Sequence, residues 1–337
     1  MRAIHQRDYK MKIAFYSPHL GLRGTEVTMY DFAHYNEEIL QNESIILYND
    51  NNPANHPTVI KKFNKRFPGK VFALKGPDFN FAWQAEYTNP LMDEILEAQK
   101  CDAIYMQKLG LNDGVVSSVC KTLVLCAGTP CEPHGDKYAY ISDWLSQKAS
   151  GGKYPAVPSI VDLPDIDGDF RELLKIPKSA IVFGRSGGMD TWSIPWASQI
   201  VKETVMANEN IFFIFQNTPQ FFNHPNIKYL PSTADMEFKV KFINTCDAMI
   251  HARTDGESFG LSCAEFSIKN KPVITWANSS DRNHIEVLAD KGIYYSTPQE
   301  LREVFQTFTP QPEKDWNAYK RFNPKDIMQI FKEVFLT

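Results

Sequence analysis

No stretch of this 337-residue chain approaches the ~20 consecutive apolar residues that cross a bilayer as a helix. Met1–Lys10 is polar and lacks the apolar core of a secretion signal, so it reads as an extension ahead of the first strand. A basic excess is also missing. Lys and Arg number 36 against 40 Asp and Glu, a formal charge of −4, which gives no support to a nucleic-acid role. The six cysteines (101, 120, 126, 131, 246, 263) include one close pair, Cys126 and Cys131, but no second Cys/His pair at zinc spacing. They read as reduced structural thiols of a cytoplasmic protein with no metal and no bound cofactor.

What is present describes a globular chain. Apolar residues make up 43% and charged residues 23%, and the length suits two domains. Short apolar runs alternate with helical stretches. One series of strands is expected at Lys12–Ser17, Ser44–Tyr48, Lys70–Ala73, Ala103–Gln107, Thr122–Cys126 and Tyr138–Ser142. A second is expected at Ala180–Gly184, Ile211–Gln216, Ile227–Tyr229, Ala248–His251, Pro272–Thr275 and Gly292–Tyr294. Helices are expected between them, among others at Glu26–Leu40, Asp93–Ala98, Asp143–Ala149, Ser193–Met206, Asp235–Asn244 and Leu261–Lys269. This alternation predicts an α/β protein with two doubly wound parallel sheets, two copies of one architecture.

The break between them falls at Lys153–Asp169, whose three prolines and four aspartates make a poor helix and a poor central strand. Asp165 and Asp167 there read as solvated linker rather than a metal pair. The expected domains are 1–160 and 170–318. A C-terminal segment, 319–337, carries a helical stripe (Ile327, Ile330, Phe331, Val334, Phe335) that crosses back to the first domain.

The most informative segment is Asp255-Gly-Glu-Ser-Phe-Gly-Leu-Ser-Cys-Ala-Glu265, two glutamates bracketing a glycine turn. It reads as a helix start, with Ser258 placed to cap it and Leu261, Ala264 and Ile268 as the buried stripe. A helix start attracts phosphate through its unpaired N–H groups and dipole. If the segment is helical throughout, Glu257 and Glu265 lie roughly 12 Å apart at ~1.5 Å per residue. They could hold the two ends of a long polar ligand with an anionic middle, a description that a nucleotide-sugar meets. Both strand series open on glycine turns, Gly21-Leu-Arg-Gly24-Thr-Glu26 and Gly184-Arg185-Ser-Gly187-Gly188. Neither is the G-x-G-x-x-G of a dinucleotide site, which disfavours a dehydrogenase. A guanidinium at Arg185 could clamp a diphosphate bidentately.

Together Gly21…Gly24-Thr-Glu26, Gly184-Arg185 and Glu257-Ser-Phe-Gly-Leu-Ser-Cys-Ala-Glu265 resemble the GT-B retaining glycosyltransferases, in particular the family-4-like group with its E-x7-E signature. The resemblance runs nearly the whole chain and is strongest over residues 180–276. It implies a GT-B fold, two Rossmann-like domains facing across a cleft. It also implies retaining, metal-independent transfer of a sugar from a UDP- or GDP-linked donor to a glycan, glycoprotein or glycolipid hydroxyl. In that family's terms Glu265 holds the donor ribose and Glu257 touches the donor sugar. The backbone of Ser258, Phe259, Gly260 and Leu261 lines the sugar–diphosphate region, with Gly184 and Gly187 beside it. Arg185 neutralises the departing diphosphate, Gly24 lets the first domain approach it, and Leu230 in Tyr229-Leu-Pro231 packs near the base. His134 resembles the family's first-domain histidine near the donor sugar.

One departure stands out. The family's second diphosphate cation, a lysine five or six positions after the arginine, is missing: the stretch is Asp190-Thr-Trp-Ser. Arg253 is the nearest substitute. The gap keeps a non-catalytic nucleotide-sugar binder in play, and a GT-B epimerase is the rival of another enzyme class. No base stands out in the first half of the chain, which fits front-face displacement. Lys61–Lys70 interleaves cations with phenylalanines. A solvated helix face accounts for it best, with weak contact to an anionic membrane surface as the second reading.

Overall fold

In the computed structural model residues 10–76 and 84–337 are described, so most of the expected N-terminal extension lies outside them. The chain divides into two compact units, Met1–Pro158 with Pro324–Thr337, and Ser159–Asn323.

The first unit runs β1 (Lys12–Ser17), α1 (Gly24–Glu38), β2 (Glu43–Asn49), α2 (Pro57–Arg66), β3 (Val71–Leu74), α3 (Ala85–Gln99), β4 (Ala103–Lys108), β5 (Lys121–Cys126), β6 (Lys137–Tyr140) and α4 (Asp143–Ser150). The second runs β7 (Ile181–Arg185), α5 (Ala197–Ala207), β8 (Ile211–Gln216), β9 (Ile227–Leu230), α6 (Met236–Thr245), β10 (Ala248–His251), β11 (Gly256–Glu257), α7 (Leu261–Ile268), β12 (Val273–Trp276), β13 (Asp281–Arg282), α8 (Asn283–Leu288), β14 (Gly292–Tyr295) and α9 (Pro298–Thr307). A last helix, α10 (Pro324–Phe335), belongs to the first unit.

All twelve expected strands are present, with ends shifted by no more than two residues. Each unit holds one parallel six-stranded sheet, ordered β3-β2-β1-β4-β5-β6 and β14-β12-β10-β7-β8-β9. Numbered within its own unit, the second order is the first one again, so both sheets reverse direction of winding beside their first strand. That reversal is the topological switch point, where open α/β sheets leave a crevice at the carboxyl ends of their strands. Burial on both faces explains the near-continuous apolar strands such as Ile211–Gln216, every residue of which is buried.

The helices depart more from expectation. α3 begins eight residues before Asp93 and carries Pro90 inside it; the missing N–H weakens a helix without forbidding one. α9 was not anticipated, although Thr297 caps it by accepting from the Glu300 N–H at 3.1 Å and Glu300 accepts back from the Ser296 N–H. In α2 and just after it, Phe63 and Phe67 are buried and set against Tyr30, while Arg66 reaches Glu37 and Glu38 at 2.8 Å each and Lys70 reaches Glu37 at 3.1 Å. The aromatics of that basic segment are therefore core, and three of its cations, Lys62, Arg66 and Lys70, meet side chains of α1.

Helix α10 completes the first sheet's cover. Phe331, fully buried, lies 5.1 Å from the Phe32 ring and 5.9 Å from Tyr105. Phe331→Ala is expected to cost about 3–5 kcal/mol, seen as a lower urea midpoint for the transition of the first unit.

Candidate functional site

At the second unit's switch point two neighbouring strands end on polar residues, β7 on Arg185 and β10 on His251. The chain leaves β10 through residues 252–255 and makes β11, which pairs in parallel with β13 through Gly256↔Asp281 and Glu257↔Arg282. Gly256 sits at φ 73°, and a Cβ there would come within 2.0 Å of the Asp281 carbonyl oxygen. The close pairing thus requires a glycine.

Gly260 makes the turn into α7. Its φ of 91° and the 2.9 Å approach of His284 Cβ to any side chain built on it exclude other residues at small cost. Gly260, not Ser258, is the capping position, and no side chain caps the helix. Glu257 belongs to β11 rather than to the helix, so the helical ruler between the two glutamates does not apply. The first helical bond runs from the Ala264 N–H to the Gly260 carbonyl at 2.9 Å, which leaves the N–H groups of Leu261, Ser262 and Cys263 outside the ladder. The buried residues form a continuous run, Cys263–Ser267, while Leu261 and Ile268 are half-buried. α7 is covered on a second side by residues 316–322. There the Ser267 hydroxyl donates to the Trp316 carbonyl at 2.9 Å, and Phe259 stands edge-on to Tyr319 and Phe322. The Phe259 carbonyl accepts from Asn283 at 2.9 Å and from the Tyr319 hydroxyl at 3.3 Å. The turn is held rigidly in place.

The two glutamates have different surroundings. Glu257 meets His251 Nε2 at 3.2 Å through one oxygen and accepts from Arg253 at 3.1 Å through the other. Burial opposes its ionisation, but the hydrogen bond and charge of His251 and the Arg253 guanidinium outweigh it and hold the carboxyl at about 2. Behind it the chain of contacts continues: His251 Nδ1 to Thr275 Oγ1 at 2.9 Å, and Thr275 Oγ1 to His284 Nε2 at 3.1 Å. Burial first, and then repulsion from His251, lowers His284 to about 3. Glu265, 5% exposed, is paired instead with Lys239 of α6 at 2.5 Å. The sequence offered no role for Lys239, His251, Thr275 or His284. They come from four separate elements and share no spacing.

Arg185 ends β7 beside Gly187 and Gly188, as expected, and its side chain is enclosed by its own unit. It is 2% exposed. One amino group donates to the Gln216 and Asn217 carbonyls at 3.1 and 2.9 Å and to the Thr218 hydroxyl at 2.6 Å. The other donates to the Gly188 carbonyl and Thr191 hydroxyl at 2.6 Å each. Burial brings its guanidinium down to about 10. So held, Arg185 ties the loop after β7 to the loop after β8, and it could meet a diphosphate only by exchanging these bonds. Gly187 lies in that first loop, where a Cβ would come within 2.8 Å of Thr191 Oγ1. Gly184 has an internal reason for its bareness: a Cβ would stand 2.3 Å from Cys246 Sγ. Leu230 ends β9, half-buried, with its carbonyl accepting from Asn217 at 3.1 Å.

The remaining two expected residues lie in the first unit. Gly24 opens α1 and is exposed. His134 precedes β6, 9% exposed; its Nδ1 is 2.7 Å from the Glu132 carbonyl and its buried Nε2 has no partner. An acid stands beside Ser17 at the carboxyl end of β1. Glu26, 2% exposed, accepts from Ser17 at 3.2 Å and Thr25 at 2.9 Å and lies 3.4 Å from His19. Burial raises its pKa. Among the described residues no group of three or more His, Cys, Asp or Glu side chains is placed to hold a metal, and no helix is long and apolar enough to cross a membrane.

No family model matches the chain, and no curated protein matches it by sequence. Solved structures do. The chain is similar to Anabaena Alr3699/HepE in complex with UDP and glucose (TM-score 0.71, 15% identity, 97% of this chain and 100% of that one). It is similar to a glycosyltransferase from Rickettsia africae (TM-score 0.68, 14% identity, 97% and 99%). It is also similar to a putative UDP-N-acetylglucosamine 2-epimerase from Listeria monocytogenes (TM-score 0.64, 12% identity, 96% of each chain). The two parallel six-stranded sheets are those of the GT-B fold.

The buried histidine makes stability depend on pH. A lowered folded pKa means that the unfolded chain binds the proton first, so His284 contributes fully above about 6.5 and loses that contribution as pH falls toward about 3. Glu257 adds loss in the same direction below about 4.5. Wild type is expected to lose up to ~1.4 kcal/mol per pH unit below pH 6.5 from His284, and His284→Asn to show a shallower slope between pH 6 and 4.5 in urea unfolding. Gly184→Ala is expected to cost about 1–3 kcal/mol through overpacking against Cys246. The double variant with Cys246→Ala should recover part of this, which a ligand-facing glycine would not show.

Proposed function

We propose that the chain is a glycosyltransferase that moves a sugar from a nucleoside-diphosphate sugar to an acceptor hydroxyl of a glycan or glycoconjugate. One observation carries the reading: at the switch point of a GT-B sheet, the glycine-started helix α7 has one acid just before it and one within it, each already matched to a cation. The N–H groups of Leu261–Cys263, outside the helical ladder, suit a diphosphate, and Glu265, inside the second turn, suits the diol of the ribose. Glu257, kept ionised by His251 and Arg253, suits a sugar hydroxyl and is a poor general acid. Arg253, beside Glu257, is the cation for the sugar-side phosphate. Arg185 acts as a positioning residue through the loops that it joins.

The finer reading follows the family resemblance. Transfer is retaining and metal-independent, the donor is UDP- or GDP-linked, and the departing diphosphate helps to remove the acceptor's proton. His134 and Gly24 are carried by that resemblance alone. The Listeria neighbour supports a second reading, an epimerase, in which diphosphate is lost and the sugar is altered with no acceptor.

Incubation with UDP-glucose, UDP-galactose, UDP-N-acetylglucosamine and GDP-mannose, with and without a pool of free glycans, separates the two. Acceptor-dependent transfer that persists in chelator is expected, with the donor's anomeric configuration kept in the product by NMR. Acceptor-independent formation of an epimer would establish the second reading. Glu265→Gln should weaken UDP or GDP binding about 10- to 100-fold, the scale of hydrogen bonds to a charged group. Glu257→Gln should lower kcat at least about tenfold while nucleotide affinity stays within about threefold.

A further inference from the structure

The cations around α7 are unequally committed. Arg185 is closed by five acceptors of its own unit. Arg253 is turned to Glu257 at 3.1 Å. Among the described residues Lys239 has one acceptor, Glu265 Oε1 at 2.5 Å, for the three N–H bonds of its ammonium. Both members of this pair are largely buried, at 13% and 7% side-chain exposure, so the two spare donors sit where water is scarce. Leaving such donors unmatched is costly, and an anion that meets them gains more than it would in water.

Charge makes the same point. The pairs Glu257–Arg253 and Glu265–Lys239 are each neutral, and a ribose diol brings no charge to Glu265. A diphosphate brings negative charge next to two carboxylates and needs a cation that can turn to it. The position where the family resemblance expects that cation holds Asp190 and Thr191 instead. A ribose held by its diol at Glu265 would carry its phosphate on C5′, a few bonds away across the same small ring, a span comparable to the length of a lysine side chain.

We propose that Lys239 is the phosphate-binding residue for the nucleoside-side phosphate of the donor, and that it exchanges its bond to Glu265 for the phosphate as the ribose takes over that carboxylate. This rests on the donor-binding reading above. The exchange has a signature that a purely structural lysine lacks. Without the ammonium, Glu265 is freed for the ribose while the phosphate loses its partner, so nucleoside and nucleotide respond in opposite senses.

The test is calorimetric titration of uridine, UMP and UDP, and of guanosine, GMP and GDP, into wild type, Lys239→Met, Lys239→Arg and Glu265→Gln. Wild type should bind the monophosphate at least about tenfold more tightly than the nucleoside. In Lys239→Met that advantage should shrink to about twofold or less, with nucleoside affinity unchanged or higher. Lys239→Arg should keep most of the advantage, and Glu265→Gln should weaken nucleoside and nucleotide alike. If Lys239→Met loses nucleoside and nucleotide by equal factors, or loses neither, the assignment is overturned and the donor reading stands. If wild type binds neither series, the donor reading falls and takes this inference with it.

Discussion

The left-handed backbone at Gly260 is the constraint on which the candidate site depends. At φ 91° the chain turns abruptly out of the β11 pair and starts α7 in the space of three residues. Moving that turn by one residue would swing Glu265 off the face toward Lys239 and separate Glu257 from His251. The turn is held by contacts that have nothing to do with a ligand: Asn283 and Tyr319 on the Phe259 carbonyl, His284 against Gly260, and Asp281 against Gly256. A site built on strands, a helix start and a locked turn keeps its geometry without a ligand to organise it.

The second theme is how this unit distributes positive charge. A switch point lined by carboxylates would repel a nucleotide, and here each carboxylate has its own cation. The strength of those pairs differs with what surrounds them. Glu257 is supported from behind by the His251–Thr275–His284 chain, which reaches from the end of β10 across β12 to α8. Among the described residues Glu265 has only Lys239. Glu257 is thus held by two partners with a network behind them, and Glu265 by a single ammonium. Arg185, the cation most conspicuous in the sequence, is a tie between loops.

Much of this was legible in advance. Twelve strands, the repetition of one architecture and the glycine turn before α7 follow from apolar runs, their lengths and the residues that punctuate them, which are local properties. The E-x7-E spacing picked out both acids. Partners were not legible. Lys239 is one of four alternating polar and apolar residues in an ordinary amphipathic helix, and His251 and His284 look like two unrelated histidines 33 positions apart. In α2 the exposed Lys61 and Lys65 fit the expected solvated face, while the partner of Arg66 was not legible, because whether it faces solvent or Glu37 depends on where α1 packs.

The sequence by itself determined the positions of the twelve strands and their division into two matching sheets, because apolar runs, turn residues and spacing are written along the chain. Only the tertiary structure decided which cation serves which acid, and that Arg185 is enclosed. Those outcomes depend on the distance between side chains from different strands and helices, and on how much water each retains. Parallel pairing puts β7 beside β10 and β10 beside β12, and this brings His251, Thr275 and Glu257 into one network. No local pattern encodes that adjacency; the hydrogen-bonded sheet does.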